Sequence, residues 1–451
     1  MGVIYFCAFG AFFFQIRGLL GANGILPVTD YLQWLKRAYG RRAYYLVPTL
    51  FWYRATDQML MCVVSLGMLL SLLLMAGLWP SFLLFSLYLL YLSIISVGQD
   101  FLGFGWEVFL QEVALNAFLV SLTDVANPLA WISINFLLFR FYIQSGAVKL
   151  QSRDPNWKNL TAISYHYQSQ PLPNTVAWYV HKLPMWFHKC SCLAMFVIEL
   201  AVPLLIFFSE EWRLVACALF LFLQFSIWVT GNFSYLNHLT ALFSLILLNN
   251  AFLEQLGCSP PNLTQSPLLL DLFVTLGAGA LIVLQAMQLY THFFPNARFR
   301  AILNSVSPFH LANRYGIFAV MTTVRYEIVV EASQDETTWK EYLFTHKPSE
   351  LNRRPRRISP YQPRIDWQAW FLPFTGFMNE RWFQNFCLHL LKGTPEVLKL
   401  LRHNPFPDAP PKYVRALVYV YEFTSVKEKK ELGTWWSRRL VEYYMPVLQR
   451  R

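Results

Sequence analysis

The sequence predicts a polytopic α-helical membrane bundle of about eight or nine spans (residues 1–291) followed by a soluble α+β, β-rich C-terminal domain (residues 292–451). Three observations support this fold class. The 451 residues are 55% hydrophobic and 17% aromatic, but only 14% are charged, whereas soluble proteins carry about 25% charged residues. Apolar stretches long enough to cross a bilayer recur in the first two thirds. In the last third, apolar and polar residues alternate as in strands.

Nine apolar segments are the predicted spans. They cover residues 2–20, 57–78, 80–97, 105–123, 129–148, 189–208, 211–230, 233–253 and 267–291. The first segment is interpreted as a span because it lacks the basic start and the small-residue cleavage site of a signal peptide. The fourth carries Glu107 and Glu112, and carboxylates in hydrocarbon are costly. We therefore expect both acids to face the bundle interior or a wet cavity, or this segment to re-enter the membrane.

Two basic loops, residues 21–56 and 149–188, separate predicted spans. In the second loop, Asp154 followed by a proline predicts a helix start. Helices are expected there over residues 156–169 and 175–181. With nine spans, both loops and the tail domain lie on one side of the membrane. The positive-inside rule makes that side cytoplasmic.

The tail domain is expected to mix strands and helices. Strands are predicted over residues 315–331, 339–345 and 414–424, and helices over residues 379–392, 395–403 and 435–444. In the first strand Val324, Tyr326 and Ile328 alternate with polar residues, a pattern typical of a half-buried strand.

Charge and motif content exclude several classes of function. The net charge is +11, and most of the excess lies after residue 291, which favours contact with anionic lipid or an acidic client. Nucleic acid is not a predicted partner, because the sequence contains no zinc finger, RNP motif or basic zipper. No P-loop, dinucleotide fingerprint or zinc signature occurs, so no cofactor or metal is predicted. The seven cysteines do not form a disulfide framework; the close pair Cys190 and Cys192 is interpreted as small buried residues or as a redox or metal pair.

Lys149, at the end of the 129–148 span, allows two interpretations. It can be an anchor whose ammonium reaches the membrane interface. Alternatively, it can be a partly desolvated amine that acts as a base, with Glu107 and Glu112 as partners.

Two further groups are candidate binding residues. Tyr165, His166 and Gln170 belong to a polar and aromatic patch that is either a lid packed on the bundle or a binding surface for a polypeptide or lipid. Four tail arginines lie among aromatic residues and are interpreted either as members of internal ion pairs or as a docking face for a partner protein. They are Arg314, Arg325, Arg364 and Arg415, with Glu327, Asp366 and Glu422 as the expected acidic partners.

Three long blocks resemble the lipase maturation factor family. They begin with SGAVKLQSRDPNW (residues 145–184), YGIFAVMTTVRYEIVV (315–371) and NPFPDAPPKYVRALVY (404–436). The resemblance implies a multi-pass protein of the endoplasmic reticulum membrane, or of the inner membrane if the source is bacterial. It also implies a lumenal tail domain, which contradicts the positive-inside count.

The resemblance further implies a folding or assembly factor that binds immature, homodimeric secreted lipases and acts without catalysis. Immature lipase and membrane lipid are the expected partners. Within the matched blocks, Asp154, Trp157, Asp366, Trp367, Trp435 and Trp436 join the candidate binding residues.

A second resemblance is confined to the membrane region. The residues from Gly146 through Lys149 and Asp154 to Trp157 are similar to a segment of vitamin K-dependent γ-glutamyl carboxylases, in which a lysine in this context is a base. This supports an alternative function as an intramembrane enzyme. Two triplets, at Asn159 and Asn262, fit glycosylation sequons.

Overall fold

The structure, a computed structural model, describes residues 1–123, 125, 127–255, 257 and 266–450. The sequon at Asn262 lies outside these residues. Seventeen helices precede the sheet within the described ranges. They are α1 (Gly2–Phe13), α2 (Ile16–Leu20), α3 (Val28–Tyr39), α4 (Ala43–Leu46), α5 (Asp57–Met75), α6 (Pro80–Val97), α7 (Gly105–Ser121), α8 (Pro128–Gln151), α9 (Pro155–Lys158), α10 (Ala162–Ser169), α11 (Thr175–His181), α12 (Met185–Leu200), α13 (Glu210–Thr230), α14 (Leu236–Ser244), α15 (Asn250–Gln255), α16 (Leu268–Phe293) and α17 (Ala297–Val306).

Five of these segments are long and apolar enough to cross a bilayer. Within the described ranges they are Asp57–Met75, Pro80–Val97, Met185–Phe207, Glu210–Thr230 and Leu268–Phe293, where a short 3-10 turn extends α12 to Phe207. Helix α6 has the predicted bounds, and it begins at Pro80 because proline is pre-organised for the first position of a helix. The chain therefore has several apolar helices typical of a multi-pass membrane protein.

Other predicted spans differ in detail. The predicted 2–20 span is two helices, since α1 ends at Phe13 and α2 begins at Ile16. The 233–253 segment is also divided, into α14, a 3-10 turn and α15. Within loop 149–188, the predicted 156–169 helix is interrupted between α9 and α10. The total of eight or nine spans stays a prediction.

After α17, the tail contains four more α-helices and four strands within the described ranges. They are β1 (Arg325–Ser333), β2 (Lys340–Glu341), α18 (Arg364–Ala369), α19 (Arg381–Lys392), α20 (Pro395–Leu398), β3 (Tyr413–Phe423), α21 (Val426–Leu432) and β4 (Trp436–Gln449). The strands form one antiparallel sheet in the order β2-β1-β3-β4. β1 is buried along most of its length, whereas most of β4 is exposed at the edge of the sheet.

Three tail predictions are corrected. Of residues 435–444, predicted as a helix, all but Trp435 belong to strand β4, because they pair with β3. The strand predicted from residue 315 begins only at Arg325, since the preceding residues form an irregular segment. Of the predicted 339–345 strand, β2 pairs with β1 and Leu343 forms an isolated bridge with His403; of the predicted 395–403 helix only α20 forms.

Both loops and the tail meet at one face of the bundle. Gln15, after α1, donates to the carbonyl of Gln362 at 2.8 Å and accepts from the amide of Arg364 at 2.8 Å. Asn385 of α19 donates to the carbonyl of Ile25 in loop 21–56 at 3.0 Å. One hydrophobic cluster runs from the bundle into the tail. The division into domains 1–291 and 292–451 stays a prediction.

Candidate functional site

A cavity of about 780 Å³ lies within the bundle beside loop 149–188. Helices α12 and α13 contribute the most lining residues, and α7, α8, α9, α10, α11, α14 and the segment around Tyr315 contribute the others. Its lining is mainly apolar, with a few polar side chains among aromatic rings. A mainly apolar concave site with a few polar groups is typical of ligand pockets, which measure about 300–1,000 Å³.

A buried ion pair joins Lys149 and Glu199 in this cavity wall. The Lys149 Nζ atom donates to Glu199 Oε2 at 2.7 Å, to Oε1 at 2.9 Å and to the carbonyl of Ser145 at 2.9 Å. All three protons of the ammonium are therefore used. The ammonium also lies 5.7 Å from the ring centre of Trp157.

Gly146 allows this pair to form. A Cβ atom at Gly146 would lie 2.7 Å from Leu200 Cδ2 and 3.0 Å from Glu199 Cβ. Only glycine therefore permits the close approach of α8 to α12. That approach brings the Glu199 carboxylate within hydrogen-bonding distance of Lys149.

The predicted partnership of Lys149 with Glu107 and Glu112 is wrong. Glu107 accepts hydrogen bonds from Arg364 of the tail and, at 2.6 Å, from the indole of Trp106. Glu112 pairs with Arg140 of α8 and accepts from the hydroxyl of Tyr315 at 2.6 Å. Each acid already has a buried cation closer than Lys149, so both are neutralised inside the bundle, as expected for intramembrane carboxylates.

A chain of hydrogen bonds crosses another wall of the cavity. Gln224 of α13 donates to the hydroxyl of Tyr142 at 3.1 Å and accepts from the amide of Asn237 at 2.8 Å. Tyr142 is fully buried and stacks on Phe220 with ring centres 3.9 Å apart. The network fixes the orientation of these amides.

His166 of α10 presents a neutral imidazole to the cavity. Burial, with the nearby charge of Lys149, lowers the pKa of His166 to about 4. Its ring stacks on Phe233 at 5.9 Å and meets the edge of Phe318 at 4.8 Å. This ring therefore stays uncharged near pH 7.

The other candidates in loop 149–188 fasten the loop to its surroundings. Asp154 caps α9 through the amide of Asn156 at 2.9 Å and accepts from the amide of Met321 at 2.6 Å. Trp157 is buried and donates to the carbonyl of Phe318 at 3.0 Å. Gln170 is buried and donates to the carbonyl of Thr230 at 2.9 Å, whereas Tyr165 is 38% exposed.

Arg325 joins the tail sheet to the same loop. Its guanidinium donates to the carbonyl oxygens of Gln168, Gln170 and Pro171, and to Glu327 at 2.5 Å. Lys347 completes a buried triad on Glu327 at 2.8 Å. The predicted ion pair of Arg325 with Glu327 is confirmed.

Arg364 and Arg415 also form ion pairs, but their partners are not among the expected acids Asp366 and Glu422. Arg364 pairs with Glu107, and Asp366 accepts from the amides of His346 and Lys347, at 2.5 and 2.9 Å. Burial raises the pKa of Asp366. Arg415 pairs with Glu331 at 2.7 Å rather than with Glu422, which is exposed near the end of β3. Arg314 is exposed at the rim of the cavity.

The three tail tryptophans on the candidate list are largely buried. Trp367 packs edge-on against Trp106 with ring centres 4.9 Å apart. Trp435 packs against Trp178 of loop 149–188, and the ammonium of Lys429 lies 3.7 Å from its ring centre. Trp436 lies beneath Arg325, 5.4 Å from the guanidinium. A role of these residues in client binding stays a prediction.

Two site residues, Glu199 and Arg140, were missed by the sequence analysis. Arg140 is the one charged residue of the predicted 129–148 span and Glu199 the one acid of the predicted 189–208 span, and that isolation was the available signal. Cys190 and Cys192 are free, Cys190 exposed and Cys192 buried. Among the described residues, no group of three or more His, Cys, Asp or Glu side chains could hold a metal.

Comparison with known proteins gives a consistent result across the chain. Two family models match, the lipase maturation factor transmembrane domain over residues 1–255 and the lipase maturation factor C-terminal domain over residues 311–446. Lipase maturation factor 1 of Bos taurus is 32% identical, with 100% of this chain and 88% of that protein covered. Human lipase maturation factor 1 is 30% identical (99% and 86% covered). Lipase maturation factor 2 of Xenopus laevis is also 30% identical (99% and 80%). No solved structure matches.

Proposed function

Because the chain belongs to the lipase maturation factor family, we propose that it promotes the folding or assembly of secreted lipases from within a membrane. The observation that carries this proposal is the coverage of the bundle and the tail, in order, by the two models of one family. The proposed location is the endoplasmic reticulum membrane, with the tail in the lumen.

The proposed action is binding rather than catalysis. Preferential binding of the assembled form stabilises that form without any chemical step. In support, Glu107, Glu112 and Lys149 are each held in a buried ion pair. A general base needs a free lone pair, and the Lys149 ammonium uses all three protons in hydrogen bonds. These contacts do not support the carboxylase-like alternative.

We propose nine membrane crossings, with loops 21–56 and 149–188 on the side of the tail. Helix α8 begins beside the start of α16, where Asn127 donates to Asp271 at 2.7 Å. It ends beside the end of α16, where Gln151 donates to the carbonyl of His292 at 3.3 Å. The two helices therefore run in the same direction. The five long apolar segments and α8 provide six of the proposed crossings. The shorter helices α1, α7 and α14 would provide the other three.

Strand β4 is the proposed client-binding surface. It is the last strand of the sheet among the described residues, so one of its edges offers unpaired backbone groups. Such edges pair readily with extended peptides, and immature proteins expose extended segments. Leu440 and Tyr443 are 51% and 61% exposed on this strand. The exposed Arg439 on the same strand suits an acidic client segment, whereas Arg438 is already paired with Glu341 at 2.6 Å.

A deletion of the tail would not test this proposal. Arg364 of the tail neutralises Glu107 of the bundle, and Arg325 fastens loop 149–188. A chain without its tail would bury Glu107 unpaired, which is strongly destabilising. Loss of function would then report misfolding rather than loss of client contact.

Surface variants of the full chain provide the test. We expect Leu440→Glu combined with Tyr443→Glu to reduce secreted lipase activity at least threefold in cells that lack their own lipase maturation factors. Lipase synthesis should stay unchanged. The control is Leu432→Glu on α21, which alters another exposed leucine, 68% accessible. Equal lipase activity with the double variant, the control and the unaltered chain would overturn the proposed client surface.

A further inference from the structure

The rim of the cavity opens through the outer surface of the bundle. The cavity is not enclosed, and its lining includes Phe222 and Phe225 of α13, which are 59% and 60% exposed. Cys190 of α12 is also exposed at this rim. Both helices belong to segments apolar enough to cross a bilayer. The opening between them therefore faces hydrocarbon, and an apolar molecule can enter sideways without crossing water.

The interior of the cavity carries no uncompensated charge. The Lys149 ammonium is matched by the Glu199 carboxylate at 2.7 Å, and burial keeps His166 neutral, with a pKa of about 4. Arg314 is the other charged lining residue, and its side chain is exposed rather than enclosed in the interior. An ionic head group drawn inside would lose its hydration without gaining a free counter-charge.

The polar groups of the cavity are suited to a ligand that donates a hydrogen bond. The Oδ1 atom of Asn237 is buried and has no hydrogen-bond partner in the described part of the chain. An unsatisfied buried acceptor is destabilising, and a hydroxyl group beside it would supply the missing donor. The neutral ring of His166 can accept or donate a second hydrogen bond.

We propose that this cavity binds a neutral membrane lipid with a free hydroxyl group, of the acylglycerol class. The acyl chain occupies the apolar space between α12 and α13, and the glycerol hydroxyl approaches Asn237 and His166. This binding goes beyond the proposed action on lipases. It does not depend on that action, because the purified chain without any client should bind the lipid.

The test uses the purified full chain in nanodiscs and a photoactivatable monoacylglycerol that carries an alkyne. We expect mass spectrometry to find the label on peptides of α12 and α13. Unlabelled monoacylglycerol or diacylglycerol should compete at least tenfold better than oleate or phosphatidylglycerol. Label spread over all lipid-facing helices, or better competition by the two anionic lipids, would overturn the proposal.

Two variants sharpen the test. Ala194→Trp fills the cavity and should reduce labelling at least fivefold. Leu193→Trp is the control, because the preceding residue is exposed but does not line the cavity, and it should leave labelling unchanged. Glu199→Gln leaves the Lys149 ammonium without a counter-charge and should reverse the preference, so that oleate competes better than monoacylglycerol. Each variant is compared only if its melting temperature shows a folded protein. Equal labelling of both tryptophan variants would contradict a cavity site. If a variant does not fold, the proposal is decided by which unlabelled lipids compete best for the unaltered chain.

Discussion

Replacing Arg364 by alanine should destabilise the whole chain, although this residue lies in the tail. Its guanidinium donates to Glu107 of α7 and to the carbonyl of Phe101 at 3.2 Å. It also lies 4.5 Å from the ring centre of Phe12. Both side chains of the ion pair are fully buried. The substitution leaves a carboxylate inside the protein with only uncharged donors.

The magnitude follows from the cost of an unpaired buried charge. Removing one member of such a pair costs about 3–5 kcal/mol. With an unfolding entropy of about 2.1 cal/mol/K per residue, the 451 residues give about 0.95 kcal/mol/K. The melting temperature (Tm) should therefore fall by about 3–5 °C if the chain unfolds as one unit. Glu107→Gln combined with Arg364→Met removes both charges at similar volume and should recover most of the loss.

The assay is thermal unfolding of the full chain in detergent, followed by intrinsic tryptophan fluorescence. Lys427→Ala is the control, because Lys427 faces solvent 3.9 Å from Glu431 and should leave Tm unchanged. A Tm of Arg364→Ala equal to that of the unaltered chain would refute the reasoning. A double variant as unstable as the sum of its two single variants would refute it as well.

Three further predictions concern packing, pH and sidedness. Gly67→Val should lower Tm by several degrees, because a Cβ atom there would lie 2.5 Å from the buried ring of Phe9. The Tm should fall as pH drops from about 6.5 towards 4. In this range the unfolded chain binds a proton at His166, with a pKa near 6.5, whereas burial lowers the pKa of His166 in the folded chain to about 4. His166→Phe removes this proton uptake and should flatten that part of the Tm-against-pH curve. If the tail is lumenal, the exposed Asn159 should be glycosylated, because loop 149–188 lies on the same side as the tail in the proposed topology. Asn262, whose position in the sequence is between α15 and α16, should not be glycosylated. A glycosidase-sensitive gel shift that is lost in Asn262→Gln but kept in Asn159→Gln would place the tail in the cytoplasm.

Local signals predicted many elements well. Helix α6 was placed at its observed ends by Pro80 and an apolar run of the length of a span. Strand β3 was predicted within one residue by its alternation, and Thr175–His181 was predicted at its observed ends. In each case the information lies in neighbouring residues.

The failures involve partners distant in the sequence. Strand β4 contains aromatic and basic residues at spacings that also suit a helix, and only pairing with β3 selects the strand. The hydrogen bond between Glu107 and Arg364 joins residues 257 positions apart. Asp366 was among the expected acidic partners of the tail arginines, but backbone amides hydrogen-bond to it instead. Periodicity cannot assign such pairs, because it describes one element at a time.

The most direct test of the account places a photocrosslinking amino acid at Tyr443 of β4 in cells that secrete a lipase. The same amino acid at Leu432 is the control, since both side chains are more than half exposed. We expect the amino acid at Tyr443 to crosslink to newly made, inactive lipase, and the yield of crosslinked lipase to fall once active dimers form. Rescue of lipase activity by the crosslinker-bearing chain, with no lipase captured at Tyr443 beyond the level at Leu432, would contradict the account.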